Sequence, residues 1–459
     1  MTGPYHEAPP VRATRASAGV TVADLSSNGL CRYNYDTTSR VGVNRVVVGQ
    51  PDSGAPARSA VALPSFEHPR GRPTRRTEQS QPGPSPGLGR YTSLVSHPPR
   101  KAASGAASRA LQKHAQRLLG DEWRVYKCGK HPIPGQFVSA RYHEGHERAG
   151  YAGLARCGSV WTCPVCSSIE LTKRRNVLQA IERRARAKGW SVVLVTVTVQ
   201  HDAGELLRDL IGALKASWRK VRQGKGWKLA RDRWGIRALA TSMEIRHGRH
   251  GWHPHDHALL LLDHEPDAAE LADLEAWLSE RYGKAIRDAG HWASSEWGVT
   301  VTGHAGTAAY LAKWGGAEEL TRIDAKAGDS ETPWQLLERA GRGDPRAVTL
   351  FLEYADATKG IYQLTGLRAL ADAVGIDADA QKEIERGSEA DPQQGEGWRD
   401  VVQLEPKQWE FVLEHRLDVE LLQLIEQVRG SPEATWTWLT VAKGMPKVGK
   451  GEATWDACG

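Results

Sequence analysis

No stretch of the 459-residue chain approaches the ~18 consecutive apolar residues of a bilayer-spanning helix. The longest, Val192 to Val199, contains two threonines. The opening residues MTGPYHEAPP hold no apolar core behind a basic start, so no secretory signal is expected. The chain therefore reads as soluble and cytoplasmic, with no membrane partner. Cysteine is scarce, six residues in all, and four of these fall between 128 and 166. That is too few and too clustered for an oxidised scaffold, and it fits a metal site in a reducing compartment better. Apolar residues at 40 % and charged residues at 25 % exclude a collagen, a coiled-coil rod and a wholly disordered chain.

The formal net charge of +7 hides an asymmetry. Residues 156–250 carry 20 basic and 7 acidic side chains, whereas 251–459 carry 20 and 37. A polyanion partner for the basic part accounts for this, and so does a solvated basic face. Residues 1–103 are rich in Pro, Ser, Gly and Arg and lack a sustained apolar period, so a disordered basic arm is expected there. Residues 104–189 read as a helix, a cysteine knuckle and a basic helix. A folded domain is expected over 190–375. An acidic, partly helical region follows over 376–459, with a polar break at Gly387 to Gly397.

From 190 to 316 the periodicities define a topology. Val192 to Val199 is almost wholly β-branched and reads as a buried strand. Leu206, Leu207, Leu210, Ile211, Leu214, Trp218 and Val221 recur at helical spacing. Arg237 to Arg246 and Trp252 to Asp263 read as two strands joined by a loop holding Gly248 and Gly251. A second helix follows through Ala268, Leu271, Leu274, Leu278, Tyr282 and Ile286, then a short strand at Val299 to Thr302 and a helix at Ala305 to Trp314. The order β-α-β-β-α-β predicts an α+β fold of the ferredoxin-like type, one antiparallel sheet with helices on one face.

His253, His255 and His257 alternate on the third of these strands and so share a face. Imidazole is the commonest metal ligand, and three on one face of a leucine-rich strand predict metal binding. With the hairpin turn centred near Gly248 to His250, Glu244 falls opposite residues near His255. A carboxylate beside two imidazoles suits Mg²⁺ or Mn²⁺. A register slip of one residue would turn it to the other face. His201, at the end of the first strand, is a weaker candidate. Tyr310 lies early in the last helix, with Lys313 at i+3 on its face, well placed to meet a phosphate. Cys157, Cys163 and Cys166, with Cys128 upstream, fit a structural zinc with four thiolates; reduced, buried cysteines are the alternative. The helix that follows displays Lys173, Arg174, Arg175, Arg183 and Arg184, suited to lie along a DNA backbone or to remain solvated.

His255-Asp256-His257 on a strand, then Tyr310-x-x-Lys313 on a helix, resembles the HUH endonuclease superfamily, and within it the rolling-circle plasmid replication initiators of actinobacteria. Val195 to His201, Gly251 to His255 and Gly366-Leu367-Arg368 add to the likeness, which spans about 128 to 375. The resemblance implies that 190–375 is a nicking endonuclease domain in which His255 and His257 bind a divalent metal. Tyr310 would attack a phosphodiester of plasmid origin DNA, single-stranded or cruciform at the nick. A 5′-phosphotyrosine link and a priming 3′-hydroxyl would result, with host helicase and polymerase as partners. Similar cysteines occur in that family. Asp256 stands where the family usually has a hydrophobic residue, and Gly306 where some relatives carry a glutamate for termination. A relaxase or single-strand transposase with the same chemistry is one alternative, though relaxases usually carry the tyrosine before the histidines. A non-catalytic, zinc-dependent nucleic-acid-binding regulator is another.

Overall fold

The computed structural model describes residues 104–303 and 330–446. All of them belong to one compact unit. The arm expected over 1–103 and the helix expected over 305–314, with Tyr310 and Lys313, lie outside the described residues. In chain order the elements are α1 (Gly105–Leu119), α2 (Arg124–Lys127), β1 (Val138–His143), β2 (Arg148–Ala152), α3 (Pro164–Ala187), β3 (Ser191–Thr198), α4 (Leu207–Val221), α5 (Gly224–Arg233), β4 (Ile236–Gly248), β5 (Gly251–Leu262), α6 (Ala268–Asp288) and β6 (Val299–Thr302). Beyond residue 329 come β7 (Ser330–Glu331), α7 (Pro333–Gly341), α8 (Pro345–Thr358), β8 (Leu364–Thr365), α9 (Leu367–Ala373) and α10 (Ala378–Arg386). The C-terminal part holds β9 (Trp398–Leu404), α11 (Pro406–Glu414), α12 (Asp418–Gln427), α13 (Pro432–Thr437) and a π-helical turn, Trp438–Ala442.

The architecture is mixed α+β. The larger sheet runs β6-β3-β5-β4-β7, with β8 beside β4, and every pairing is antiparallel. The β-branched run of β3 suits an internal strand, and β3 lies between β6 and β5. Val193, Val195 and Val197 are wholly buried against Ala258 and Leu260 of β5, Leu210 and Leu214 of α4, and Leu278 and Tyr282 of α6. A reciprocal capping box, Asp267 with Glu270, sets the start of α6.

The expectation of helices on one face needs correcting. Val192, Leu194, Leu259 and Leu261 point the other way and bury against Leu178 and Ile181 of α3 and Leu370 of α9. Along this half of the strands both faces are apolar, so both must be covered. Toward the β4–β5 turn the α3 face changes character. The positions continuing that row are Thr196, Thr198, His257 and His255, and among the described residues helix cover there gives way to polar side chains. Gly366 marks where α9 meets β4. Its φ of 82° is left-handed, and a Cβ there would stand 2.4 Å from the Leu239 carbonyl oxygen, so glycine is required.

A second sheet, β2-β1-β9, joins the first part of the described chain to the last. Val138, Ala140 and Tyr142 share a buried core with Val402, Leu404, Trp409, Leu421 and Ile425. The acidic segment beginning at Trp398 thus completes a core with residues more than 250 positions earlier.

Candidate metal centres

The two-residue turn between Gly248 and Gly251 fixes the register of β4 and β5 and sets Glu244 opposite His255. Alternation then brings Glu244, His255 and His257 to one face. Glu244 Oε2 lies 3.3 Å from His255 Nε2 and 3.3 Å from His257 Nε2. Both imidazoles are largely buried, and all three ligand atoms lie within 4.8 Å of one another.

Two outer contacts orient the group. Thr196 Oγ1 lies 3.0 Å from His257 Nδ1, and with that nitrogen donating to the hydroxyl, the Nε2 lone pair faces the carboxylate. Arg246 donates from Nε to Glu244 Oε1 at 2.9 Å, which leaves Oε2 for the imidazoles. The result is a convergence of acceptors. Two ring nitrogens and a carboxylate oxygen meet in a site short of donors, which is the donor set a hard or borderline divalent cation requires. Burial pushes the Glu244 carboxyl up, but His255 and His257 outweigh it and hold the group well below the usual carboxylate range. Burial lowers His257, partly offset by Glu244, and this favours the neutral imidazole that ligates a metal.

His253 shares the face but is not part of the group. Its Nδ1 lies 2.9 Å from His201 Nε2, while His201 Nδ1 meets the carbonyl oxygen of His250 at 2.9 Å. Burial, His255 and His201 push His253 down to about 4. Asp256 points to the opposite face. Burial there raises it to about 6, against the pull of Lys215 and Arg222 on α4 and its C-terminal cap. The structure thus groups Glu244, His255 and His257, and pairs His253 with His201. Arg246 and Thr196 were missed by sequence reasoning. Arg246 was legible, since it lies two residues from Glu244 and shares its face, whereas Thr196 needed the pairing of β3 with β5.

A second group consists of Cys128, Cys157, Cys163 and Cys166, all buried and all reduced. Sulfur separations of 3.6 Å for Cys128–Cys166, 3.7 Å for Cys157–Cys166 and 3.7 Å for Cys128–Cys163 are far too long for disulfides. Four sulfurs about 2.3 Å from a tetrahedral ion would stand roughly 3.8 Å apart, so the cluster fits such an ion. The Cys128 thiol is driven down by Cys157, Cys163 and Cys166, whereas burial drives Cys163 up. Gln112 of α1 donates to Cys163 Sγ at 3.2 Å, and the Cys157 and Ser159 amides donate to Cys128 and Cys157 Sγ at 3.4 Å each. Gln112 also accepts from Arg109, whose Nε pairs with buried Asp418 of α12 at 2.8 Å.

The basic face of α3 is largely turned onto the chain itself. Lys173 Nζ lies 2.7 Å from Asp391, Arg175 2.5 Å from Glu389, Arg174 donates to Gln363 at 2.8 Å and Arg184 to the Gly375 carbonyl at 2.9 Å. Of the five candidate DNA contacts only Arg183 is exposed without such a partner among the described residues. The polar break at 387–397 supplies the carboxylates, a long-range complementarity that local sequence does not reveal. No helix among the described residues is long and apolar enough to cross a membrane.

No protein-family model and no solved structure matches the chain. Two curated proteins are similar to it. Protein rep of Streptomyces lividans is 26 % identical over 353 aligned residues, covering 61 % of this chain and 77 % of that protein. A neomycin resistance protein of Streptomyces cyanogenus is 29 % identical over 137 residues, covering 24 % of this chain and 31 % of that protein.

Proposed function

We propose that the protein is a plasmid replication initiator of the HUH type, a metal-dependent enzyme that nicks and rejoins origin DNA to start rolling-circle replication in the cytoplasm. The observation that carries this is the Glu244–His255–His257 group, a divalent-cation donor set on adjacent antiparallel strands. The likeness to Protein rep supports a role on plasmid DNA. The strand order β6-β3-β5-β4, with helices between β3 and β4 and between β5 and β6, supports a ferredoxin-like core.

Glu244 Oε2 and the Nε2 atoms of His255 and His257 would hold Mg²⁺ or Mn²⁺, with His253 beside them. Bound there, the ion supplies charge that polarises a phosphodiester. Arg246 fixes the carboxylate, Thr196 fixes the His257 tautomer, and the positive charge of Arg246 beside the centre would favour the incoming phosphate. The Tyr310 oxygen attacks phosphorus and loses its proton as the P–O3′ bond breaks. The tyrosine then carries the 5′-phosphate, and the 3′-oxygen leaves as a hydroxyl ready to prime synthesis. Lys313, three residues on in the sequence, would neutralise the phosphate. The tether permits this. Thr302 pairs with Leu194, two residues along and two strands across from His257, or about 12 Å away, and eight residues of chain can reach up to about 27 Å. The four cysteines would hold a structural Zn²⁺, and host helicase and polymerase would extend the primer.

The test is incubation of the protein with single-stranded origin DNA and Mn²⁺, followed by a denaturing gel. A covalent adduct that disappears in Tyr310→Phe while DNA binding persists is expected. Undiminished adduct in that variant would overturn the assignment of the nucleophile.

A further inference from the structure

Seventeen tryptophans occur in this chain, and among the described residues two of them stand out by exposure. Trp292 is 66 % and Trp297 51 % exposed, both in the loop between α6 and β6. Indole is among the side chains that gain most from leaving water, so two bare rings on one short loop call for a partner.

The loop is rigidly built. Ser294 Oγ accepts from the amides of Glu296 and Trp297, and the Gly298 amide donates to the Ser294 carbonyl at 2.9 Å. It is also pinned to the metal-bearing end of the sheet. The Gln200 amide donates to the Trp292 carbonyl at 2.8 Å, the Thr198 amide to Gly298 at 2.9 Å, and Thr198 Oγ1 to the Trp297 carbonyl at 3.0 Å. Thr198 is the residue opposite His255. With strands about 4.8 Å apart, the Trp297 backbone lies about 10 Å from that of His255, or about three stacked nucleotides at 3.4 Å each. On the other side of β3 the β4–β5 turn brings Arg246, Arg249 and His250 to the same end. A Cβ on Gly251 would stand 3.3 Å from the Asp202 carbonyl, so this turn lies against the loop following β3. Glu205 on that loop accepts from the Asp202 amide at 2.6 Å and lies 3.6 Å from His291.

Cations for phosphates beside rigidly presented aromatic faces for bases is the arrangement that grips unpaired nucleic acid without regard to sequence. We infer that Trp292 and Trp297 are stacking platforms for unpaired bases flanking the phosphate held at the Glu244–His255–His257 centre. This rests on the nicking function proposed above and adds to it the two side chains that hold the unpaired strand, on one side of the cleavage point.

The test uses the full chain, with no added divalent metal, and a fluorescein-labelled single-stranded oligonucleotide against its duplex form. Trp292→Ala and Trp297→Ala should each weaken single-strand binding roughly 5- to 150-fold, the range of base–aromatic stacking, with little effect on duplex binding. Trp292→Phe and Trp297→Phe should recover most of it. Because both rings are exposed, thermal melting should not change, and the Phe variants separate stacking from a fold defect. Unaltered single-strand affinity in both Ala variants would overturn the inference while leaving the nicking function standing. Equal losses on single strand and duplex would overturn it too, as would a dimer dissolved by the substitutions without change in DNA affinity. If the wild-type chain bound no single strand at all, the proposed function would fall with it.

Discussion

Thr196→Val isolates the part of the metal centre that depends on the fold rather than on the ligands. Valine matches threonine in shape and suits a strand, so the pairing of β3 with β5 should survive. What is lost is the hydroxyl 3.0 Å from His257 Nδ1. A largely buried ring N–H without an acceptor costs about 1–3 kcal/mol, and relief comes by moving the proton to Nε2, where it blocks the lone pair aimed at the metal. Outer-shell partners of ligating histidines typically govern 10- to 100-fold in metal affinity, about 1.4–2.7 kcal/mol. Titration calorimetry with Mn²⁺ on protein carrying Zn²⁺ at the cysteines should show a loss within that span for Thr196→Val. Thr196→Ser should return to within a few-fold of wild type. If Val binds Mn²⁺ as tightly as Thr, or if Ser loses as much as Val, the hydroxyl does not set the tautomer and the reasoning fails.

Asp391→Asn leaves Lys173 and Arg156 facing a neutral partner in a buried site, and should cost about 3–5 kcal/mol at pH 7 by urea unfolding. Burial raises the Asp391 carboxyl, but Arg156 and Lys173 prevail and hold it below the usual carboxylate range. Its folded-state pKa being depressed, the stability it contributes is present above the unfolded value of about 3.9 and is lost as pH falls through the folded one. The gap between wild type and Asp391→Asn should therefore close below about pH 4, and a gap constant down to pH 2 would contradict the ion-pair account. A strong chelator should release one Zn²⁺ per chain and lower Tm, as should Cys163→Ser, because Gln112 and Arg109 link the cysteines to Asp418 of α12. Release without a change in melting by circular dichroism would count against a structural role.

The strands that carry the histidines were legible because their signals are local. The β-branched run of β3, the alternation on β5 and the glycines of the turn each act within a few residues, and the turn fixes the register that delivers Glu244 to His255. Helix cover on both sheet faces was harder to foresee, since a fully apolar strand does not say how many layers it separates. The neutralised face of α3 and the pairing of β1 with β9 were not legible at all. Asp391, Glu389 and the strand at Trp398 lie more than 200 residues from their partners, and complementarity at that distance leaves no periodic trace.

If a tyrosine attacks phosphate at the histidine–carboxylate centre, Tyr354 and Tyr362 are the alternatives to Tyr310, and the two differ sharply. Tyr354 is 2 % exposed and packed against Trp252, whereas Tyr362 is 78 % exposed beside Gln363, which bonds to Ser242 and Met243 of β4. The decisive measurement is to trap the adduct with single-stranded origin DNA and Mn²⁺, digest it, and identify the nucleotide-bearing peptide by mass spectrometry. A single modified residue, Tyr310, is expected, with no adduct from His257→Ala. Modification of Tyr362, or an adduct that forms as well without His257, would contradict that expectation.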